Sequence, residues 1–438
     1  MPSPRKNSRK QPVSERSIRP DSPRVPFRNY INTTFASLKY ENFLYLWLGQ
    51  VTHAGGLWLE MVALPLLVLD LTGGSAVHLG LIMATRTAPA VVFGLVAGIF
   101  ADNFDRRLVM LVTKVVVLIL SALFVALLIT DLLVMWELYL FTFLRGASMA
   151  FDQPARRAII PSIVPNNLVT NAVALTMGSV QIMRIAGAAG AGLIIGFGSI
   201  SAAFATVVFL YAGAVIFTWF LNVPDHQRQA YRGIRYIVTD FNESIRFAWG
   251  NPTIRGVLII GIGYAIFGMA FMQVFAPLFA KQILGIGDVG FGYMMSITGL
   301  GGLIGALVLA FLNPSKYRGL LMLAMMAVSG LLFIGLAGVT YLGSLPLVFV
   351  MALLMGTTQS GLFPLTNAIL IEVSPDQIRG RVIGLLSMDR AMTALGGALA
   401  GFLAAAIGSQ LAQIIFGSGC VAVALVMFVT YPRLRQIQ

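Results

Sequence analysis

Charge is scarce in this chain, and cysteine is almost absent. Only 11% of the 438 residues are Asp, Glu, Lys or Arg, against about 25% in water-soluble domains. The single cysteine, Cys420, stands inside an apolar run. It excludes an intrachain disulfide and a cysteine metal site. No His-Glu-x-x-His or comparable metal spacing occurs, and no Gly-x-x-x-x-Gly-Lys-Ser/Thr loop. The chain by itself therefore lacks the sequence of an ATP-driven pump. Gly285-x-Gly287-x-x-Gly290 matches a dinucleotide fingerprint, but no strand precedes it and it falls in a short link, so it reads as a turn. No nucleophile–base pair stands out, which disfavours a membrane-embedded enzyme. No apolar core follows the first charges, so a cleavable signal peptide is not expected.

Long apolar runs fill the space that charge leaves. Hydrophobic residues make up 58% of the chain, and many runs exceed the ~20 residues that cross a bilayer. An all-α polytopic membrane protein follows, because lipid satisfies no backbone group that a helix leaves open. Forty-five Gly residues suit close helix–helix packing there. Residues 1–40 are polar, rich in Ser, Pro and Arg, and read as a disordered basic tail. Six spans are expected within 41–222, at 43–69, 76–101, 107–129, 134–154, 167–196 and 200–222. Six more are expected within 252–432, at 253–281, 288–312, 319–341, 346–372, 379–407 and 410–431, followed by a short tail at 433–438.

Between the two sets lies a polar linker, 223–251. In it Ile234, Ile237, Val238, Phe241, Ile245, Ala248 and Trp249 recur at helical spacing, with Arg235, Asp240, Glu243 and Arg246 largely between them. This predicts an amphipathic helix lying along the membrane face. The net charge of +13 is explained by position rather than by a nucleic-acid partner. Arg106/Arg107, Arg156/Arg157, the linker arginines, Lys316/Arg318, Arg379/Arg381 and Arg433/Arg435 share one side, while the opposite links carry only Lys281. The positive-inside rule then puts both termini in the cytoplasm and makes the number of spans even. Twelve satisfies it.

The halves match at an offset of about 210 residues. Gly146 corresponds to Gly356, Pro154 to Pro364, Ala158 to Ala368, Pro165 to Pro375 and Gly80 to Gly290. A shift by six spans preserves orientation, so the repeats are parallel, related by an axis along the membrane normal.

Several motifs carry a resemblance. Gly98-x-x-x-Asp102-x-x-x-Arg106-Arg107 links spans 2 and 3. Leu69-Asp-Leu-Thr-Gly-Gly-Ser75 follows span 1, and Phe151-Asp-Gln-Pro-Ala-Arg-Arg157 is followed by Pro161-Ser-Ile-Val-Pro165 and Asn171-Ala172. Over nearly all of 40–432 the chain resembles the major facilitator superfamily (MFS), and within it the enterobactin-exporter-like branch of the drug:proton antiporters. Arg184-Ile-Ala-Gly187-Ala-Ala-Gly190-Ala-Gly192 is similar to the antiporter signature of span 5, with Ala188 where a Pro is usual. Arg145 directly precedes Gly146, a shortened form of the basic motif of span 4.

The resemblance implies two six-helix bundles, alternating access, export of amphipathic molecules such as drugs or siderophores, and a proton gradient in place of a cofactor. It implies a monomer in a bacterial inner or plasma membrane, with a small-molecule substrate and lipid as partners and no nucleic acid. A lipid flippase on the same fold, or a facilitator for another solute, remains the alternative. It also implies a latch in which Gly98, Asp102, Arg106, Arg107 and Asp152 tie the halves on the inner face. There Asp102 would face the helix N-terminus around Arg379–Arg381, a contact worth ~0.3–1 kcal/mol at exposed sites.

Ionisable groups within spans usually face a partner or a cavity. Glu60 and His53 share one face of span 1 with Gln50 a turn earlier. Glu60 and His53 are candidates to carry a coupling proton, with Asp389 on span 11 as another. Arg86, Arg145, Gln181, Arg184 and Arg390 join Gln50 as cavity candidates. The buried arginines would either attract an anionic group or be neutralised by Glu60 and Asp152. Asp389 and Arg390, about 100° apart on their helix, cannot pair on one face. Phe267, Phe271, Phe275 and Phe279, at i, i+4 spacing, suit an aromatic cavity wall or helix packing.

Overall fold

The computed structural model describes residues 34–223, 243, 245–312, 317–374, 385 and 388–436. For 91, 94–103, 312, 433 and 436 it describes the backbone alone. Among the described residues every regular element is helical. The first six long helices are α1 (Glu41–Leu71), α2 (Ala76–Asn103), α3 (Arg106–Ile129), α4 (Met135–Ile163), α5 (Val169–Phe197) and α6 (Ile200–Phe220). The last six are α7 (Pro252–Ile283), α8 (Gly287–Leu312), α9 (Arg318–Tyr341), α10 (Leu345–Val373), α11 (Met388–Ile407) and α12 (Ser409–Thr430). Ten of these are long and apolar enough to cross a membrane. The other two are α2, whose side chains are described in part, and α4, which carries Glu137, Arg145, Asp152, Arg156 and Arg157. At 28 and 29 residues both exceed the ~20 needed.

Local chemistry places the ends. Asp105 caps α3 by accepting from the Arg107 and Leu108 amides at 2.8 and 3.4 Å. Asn251 caps α7 in the same way, with Pro252 in the first turn, where a missing N–H costs no hydrogen bond. Gly73 and Gly74, both at positive φ, turn the chain from α1 into α2.

Within the first six helices α1 packs on α5 and α6, α4 on α2 and α3, and α3 on α6; within the last six, α10 packs on α8 and α9, and α12 on α9. Two pairs make the most extensive contacts between the sets: α2 against α11 and α5 against α8. The offset repeat is visible in the contacts. A Cβ on Gly146 would lie 2.1 Å from the Arg86 carbonyl oxygen of α2, and one on the matching Gly356 would lie 2.0 Å from the Thr298 carbonyl oxygen of α8. The joining pairs are equally tight: Gly80 meets Gly397 and Gly401, and Gly292 meets Gly192, backbone on backbone. Small residues permit such approach in lipid, where packing rather than the hydrophobic effect associates helices.

Four expectations need correction. The fourth span does not stop at 154: α4 runs through Pro154 and Pro161 to Ile163, since neighbouring groups in a membrane bundle re-satisfy what a proline frees. The seventh is not a uniform α-helix, because Phe271–Phe275 and Phe279–Ile283 are π-helical turns. The tail expected over 1–40 is ordered at its end. Ser37 Oγ donates to Asn171 Oδ1 at 2.7 Å and Asn171 Nδ2 returns a bond to the Thr34 carbonyl at 2.8 Å; residues 1–33 lie outside the described residues. The tail expected at 433–438 begins as a 3-10 helix, Pro432–Gln436, with Leu434 fully buried against Gly256. Of the linker helix, Ile245–Gly250 are helical, and the remainder except Glu243 lies outside the described residues.

Candidate functional site

Buried charge collects in the first six helices. On α1, Glu60 is 1% exposed. Its Oε2 lies 2.7 Å from Arg145 Nη1 of α4, and its Oε1 lies 3.8 Å from Arg86 Nη1 of α2. Tyr211 of α6 completes the cluster. Its hydroxyl accepts a short bond from Arg145 Nη2 and donates to Glu60 Oε2 at 3.5 Å, and the Arg145 guanidinium lies 4.6 Å from its ring centroid. His53, on the same face of α1, lies against the same tyrosine with ring centroids 5.4 Å apart and the rings tilted by 41°. One carboxylate thus serves two guanidiniums and stitches α1, α2, α4 and α6 together. A Cβ on Gly56 would lie 2.7 Å from the Tyr211 ring, so the small residue on α1 makes the space the ring fills. Gln50, the third member of the polar stripe, is buried with its Oε1 unpartnered among the described residues.

A second group lies nearer the arginine-rich face. Asp152 pairs with Arg156 one turn on, at 3.8 Å. Lys114 of α3, 3% exposed, donates to Thr218 of α6 at 2.8 Å. Arg106 donates to the Ala158 carbonyl of α4 at 3.0 Å, and Arg107 to the Trp219 carbonyl of α6 at 2.6 Å. These two arginines hold three helices of the first set together. The side chain of Asp102, and Arg379 and Arg381, lie outside the described residues.

The third group lines a cavity of about 250 Å³ between the two sets of helices. Trp58 of α1 and Arg184 of α5 contribute from one side; Tyr264, Met269, Gln359, Thr366 and Asp389 are among those contributing from the other. Arg184 is 7% exposed. Its Nη2 donates to Gln359 Oε1 of α10 at 2.9 Å and reaches Met272 Sδ at 3.4 Å, and its guanidinium lies 5.2 Å from the Trp58 ring centroid. Gln181 and Arg184 both abut Gly302 of α8. Arg390 turns away from Asp389 and bonds Gln153 Oε1 of α4, a further tie between the sets. The phenylalanines do not form the cavity wall. Phe271, Phe275 and Phe279 are fully buried; Phe271 stacks on Phe333 of α9, and Phe267 and Phe275 meet Phe416 of α12 edge-on. Met269 and Met272 of the same helix line the cavity instead.

On the face opposite the arginine-rich links, Lys281 at the end of α7 pairs with Asp70 of α1 and, at 3.5 Å, with Asp288 of α8. Gln282 beside it donates to the Gly74 carbonyl at 2.7 Å. The joining glycine pairs lie in the same half of the bundle, so the two sets are in close contact on this side.

A chain with this architecture invites comparison with known proteins. A family model described as "Transmembrane secretion effector" matches residues 32–438. The chain belongs to that family, a branch of the major facilitator superfamily. Among curated relatives of this transporter, the staphyloferrin A transporter of Staphylococcus aureus is 26% identical over 394 residues, covering 87% of this chain and 94% of the relative. The multidrug efflux pump Tap of Mycolicibacterium fortuitum is also 26% identical, over 88% of this chain and 95% of its own. Among solved structures, a mutant of the nucleoside transporter NupG superposes with a TM-score of 0.74 at 16% identity, covering 89% of this chain and 99% of that one. A bacterial homologue of the human lysosomal transporter Spinster, inward-facing and unoccupied, gives 0.71 at 13% identity over 94% and 98%. At such identities these two speak for the fold alone.

Five of the residues described here were not singled out from sequence: Tyr211, Lys114, Gln359, Trp58 and Tyr264. Lys114 carried the plainest signal, an ionisable side chain inside an apolar run. Gln359 stands in the polar stretch Thr357-Thr-Gln-Ser360 of α10. Tyr211, Tyr264 and Trp58 look like ordinary span aromatics until their partners are placed.

Proposed function

We propose that this transporter is a secondary exporter of amphipathic organic molecules, working by alternating access and driven by the proton gradient. The arginine-rich face is the cytoplasmic one, and both termini lie there. The observation that supports this best is the cavity between the two helix sets, apolar over most of its lining yet holding Arg184 from one set and Asp389 from the other. An apolar wall with few convergent polar groups is what an amphipathic solute needs. That relatives include a drug efflux pump and a siderophore transporter supports export of such solutes.

Asp389 is the better candidate for the coupling proton. It lines the cavity, and no Lys, Arg or His nitrogen comes within 4.0 Å of its carboxylate among the described residues. Glu60 is enclosed and shared by two arginines, and a protonated Glu60 would leave both without their counter-charge. The two tight glycine seams and the Lys281 cluster act as the closed outer gate of this conformation.

The test is accumulation of a fluorescent drug panel by inverted membrane vesicles under an imposed pH gradient, for wild type, Asp389→Asn and Glu60→Gln. Wild type accumulates and stops when the gradient is collapsed. Asp389→Asn loses the gradient-driven part and keeps substrate exchange. Accumulation indifferent to the gradient refutes proton coupling, and full gradient-driven accumulation by Asp389→Asn refutes that residue's role.

A further inference from the structure

The charge balance of the cavity identifies one side chain still looking for a partner. The first six helices bury three arginines, Arg86, Arg145 and Arg184. Glu60 is the shared counter-charge of the first two. Arg184 lies apart from it. Among the described residues no carboxylate comes within 4.0 Å of its guanidinium, and its Nε has no hydrogen-bond partner. Its neighbours are a neutral amide oxygen, a thioether sulfur and an indole face. A guanidinium has five N–H donors and is costly to bury without a counter-charge. The interactions found here satisfy only part of that capacity, and the group faces an open cavity.

We infer that Arg184 is a subsite for one acidic group, a carboxylate or a phosphate ester, on the transported amphiphile. Two parallel N–H donors fit such a group, and Trp58 with Met269 and Met272 offers its apolar body a wall. The inference rests on the reading that this cavity is the substrate site. It adds a consequence for the transport cycle. The bond from Arg184 to Gln359 runs from α5 to α10, from one helix set to the other. An acid that takes Nη2 replaces that bond, so an occupied subsite loosens a tie that the empty site keeps. Asp389, on the opposite part of the lining, keeps a second acidic group away and sets the orientation of the ligand.

The test uses two probes of equal shape, dansylglycine and dansylglycinamide, which differ in a carboxylate against an amide. Binding is read by dansyl fluorescence to the full-length protein in nanodiscs of phosphatidylcholine. Wild type is expected to favour the acid by about tenfold or more, the size of one charge-assisted hydrogen bond. Arg184→Gln removes the preference, and Arg184→Lys retains part of it. Equal affinity of wild type for the two probes overturns the inference without recourse to any variant, as does a preference that survives Arg184→Gln in protein that elutes as wild type. A parallel measurement in discs containing phosphatidylglycerol separates solute from lipid. Competition by that lipid that depends on Arg184 would make the occupant a headgroup and overturn the solute assignment. Acid preference without gradient-driven transport leaves the subsite standing and sinks the export reading; transport without acid preference does the reverse.

Discussion

Glu60 is the residue whose removal should cost most. Replacement by Gln keeps its shape and removes its charge. The two guanidiniums at 2.7 and 3.8 Å would then be buried against a neutral amide. Taking one partner from a buried ion pair costs ~3–5 kcal/mol, because the remaining charge is left uncompensated. Arg145→Gln should cost less, since Glu60 retains Arg86. The double variant Glu60→Gln/Arg145→Gln leaves one stranded guanidinium rather than two. Its cost should therefore fall short of the sum of the single costs by ~2 kcal/mol, at the upper part of what contacting residues show. The assay is reversible unfolding in mixed micelles titrated with dodecyl sulfate, for wild type, both single variants and the double. Costs that add within ~0.5 kcal/mol would mean independent sites. So would a Glu60→Gln cost below ~1 kcal/mol. Either result refutes the view that one carboxylate binds four helices together.

Other expectations follow from packing and from the outer face. Gly146→Ala should strongly destabilise, by ~1–3 kcal/mol or more, because its Cβ would meet backbone at 2.1 Å and no rotamer can relieve it; Gly178→Ala, with nothing within 4 Å, should be neutral or gain ~0.5–1 kcal/mol of helix stability. The same micelle titration checks both, and equal effects at the two glycines would refute the packing argument. Lys281→Gln removes both ion pairs of the outer cluster, each worth ~0–1 kcal/mol at this exposure. That should raise the outward-open population about fivefold, read as faster maleimide labelling of Ala76→Cys at the α2–α11 seam in a Cys420→Ser background. Unchanged labelling would show that the glycine seams alone hold the face shut.

How much of this was legible in the sequence depends on the range of the interaction. The long apolar helices and the repeat were readable, because apolar run length and the Gly146/Gly356 register are local signals, and the structure gives each of those glycines the same close approach. Span ends were less so at Pro154 and Pro161, where a rule learned from isolated helices meets a bundle that satisfies the freed groups. The phenylalanines of α7 show a further limit. Their i, i+4 spacing implies a stripe only if every turn is α-helical, and α7 contains two π-helical turns. Arg86, Arg145 and Glu60 were visible as charges out of place. Nothing in the sequence said that Tyr211, about 150 residues further on, would join Glu60 and Arg145, or that Gln359 would meet Arg184.

The two helix sets share a scaffold but not a charge pattern. Both close against each other through glycine, Gly80 on Gly397 and Gly192 on Gly292, as a pseudo-twofold axis requires. Yet His53, Glu60, Arg86, Lys114, Arg145, Asp152 and Arg184 are all buried in the first set, while the buried polar residues described in the second are uncharged: Gln273, Ser296, Thr298, Ser329, Thr366, Ser374, Thr393 and Gln413. A half tied by a shared carboxylate resists deformation and can move as a rigid body. A half built from apolar and neutral polar contacts, with a helix softened by π-helical turns, repacks at lower cost. The cavity lies where they meet and takes its guanidinium from the rigid half. Its carboxylate comes from the first turn of α11 in the other half, at the edge of residues outside the described set. If the cavity takes substrate as proposed, the first half would hold the ligand's charged end in place and the second half would move around it.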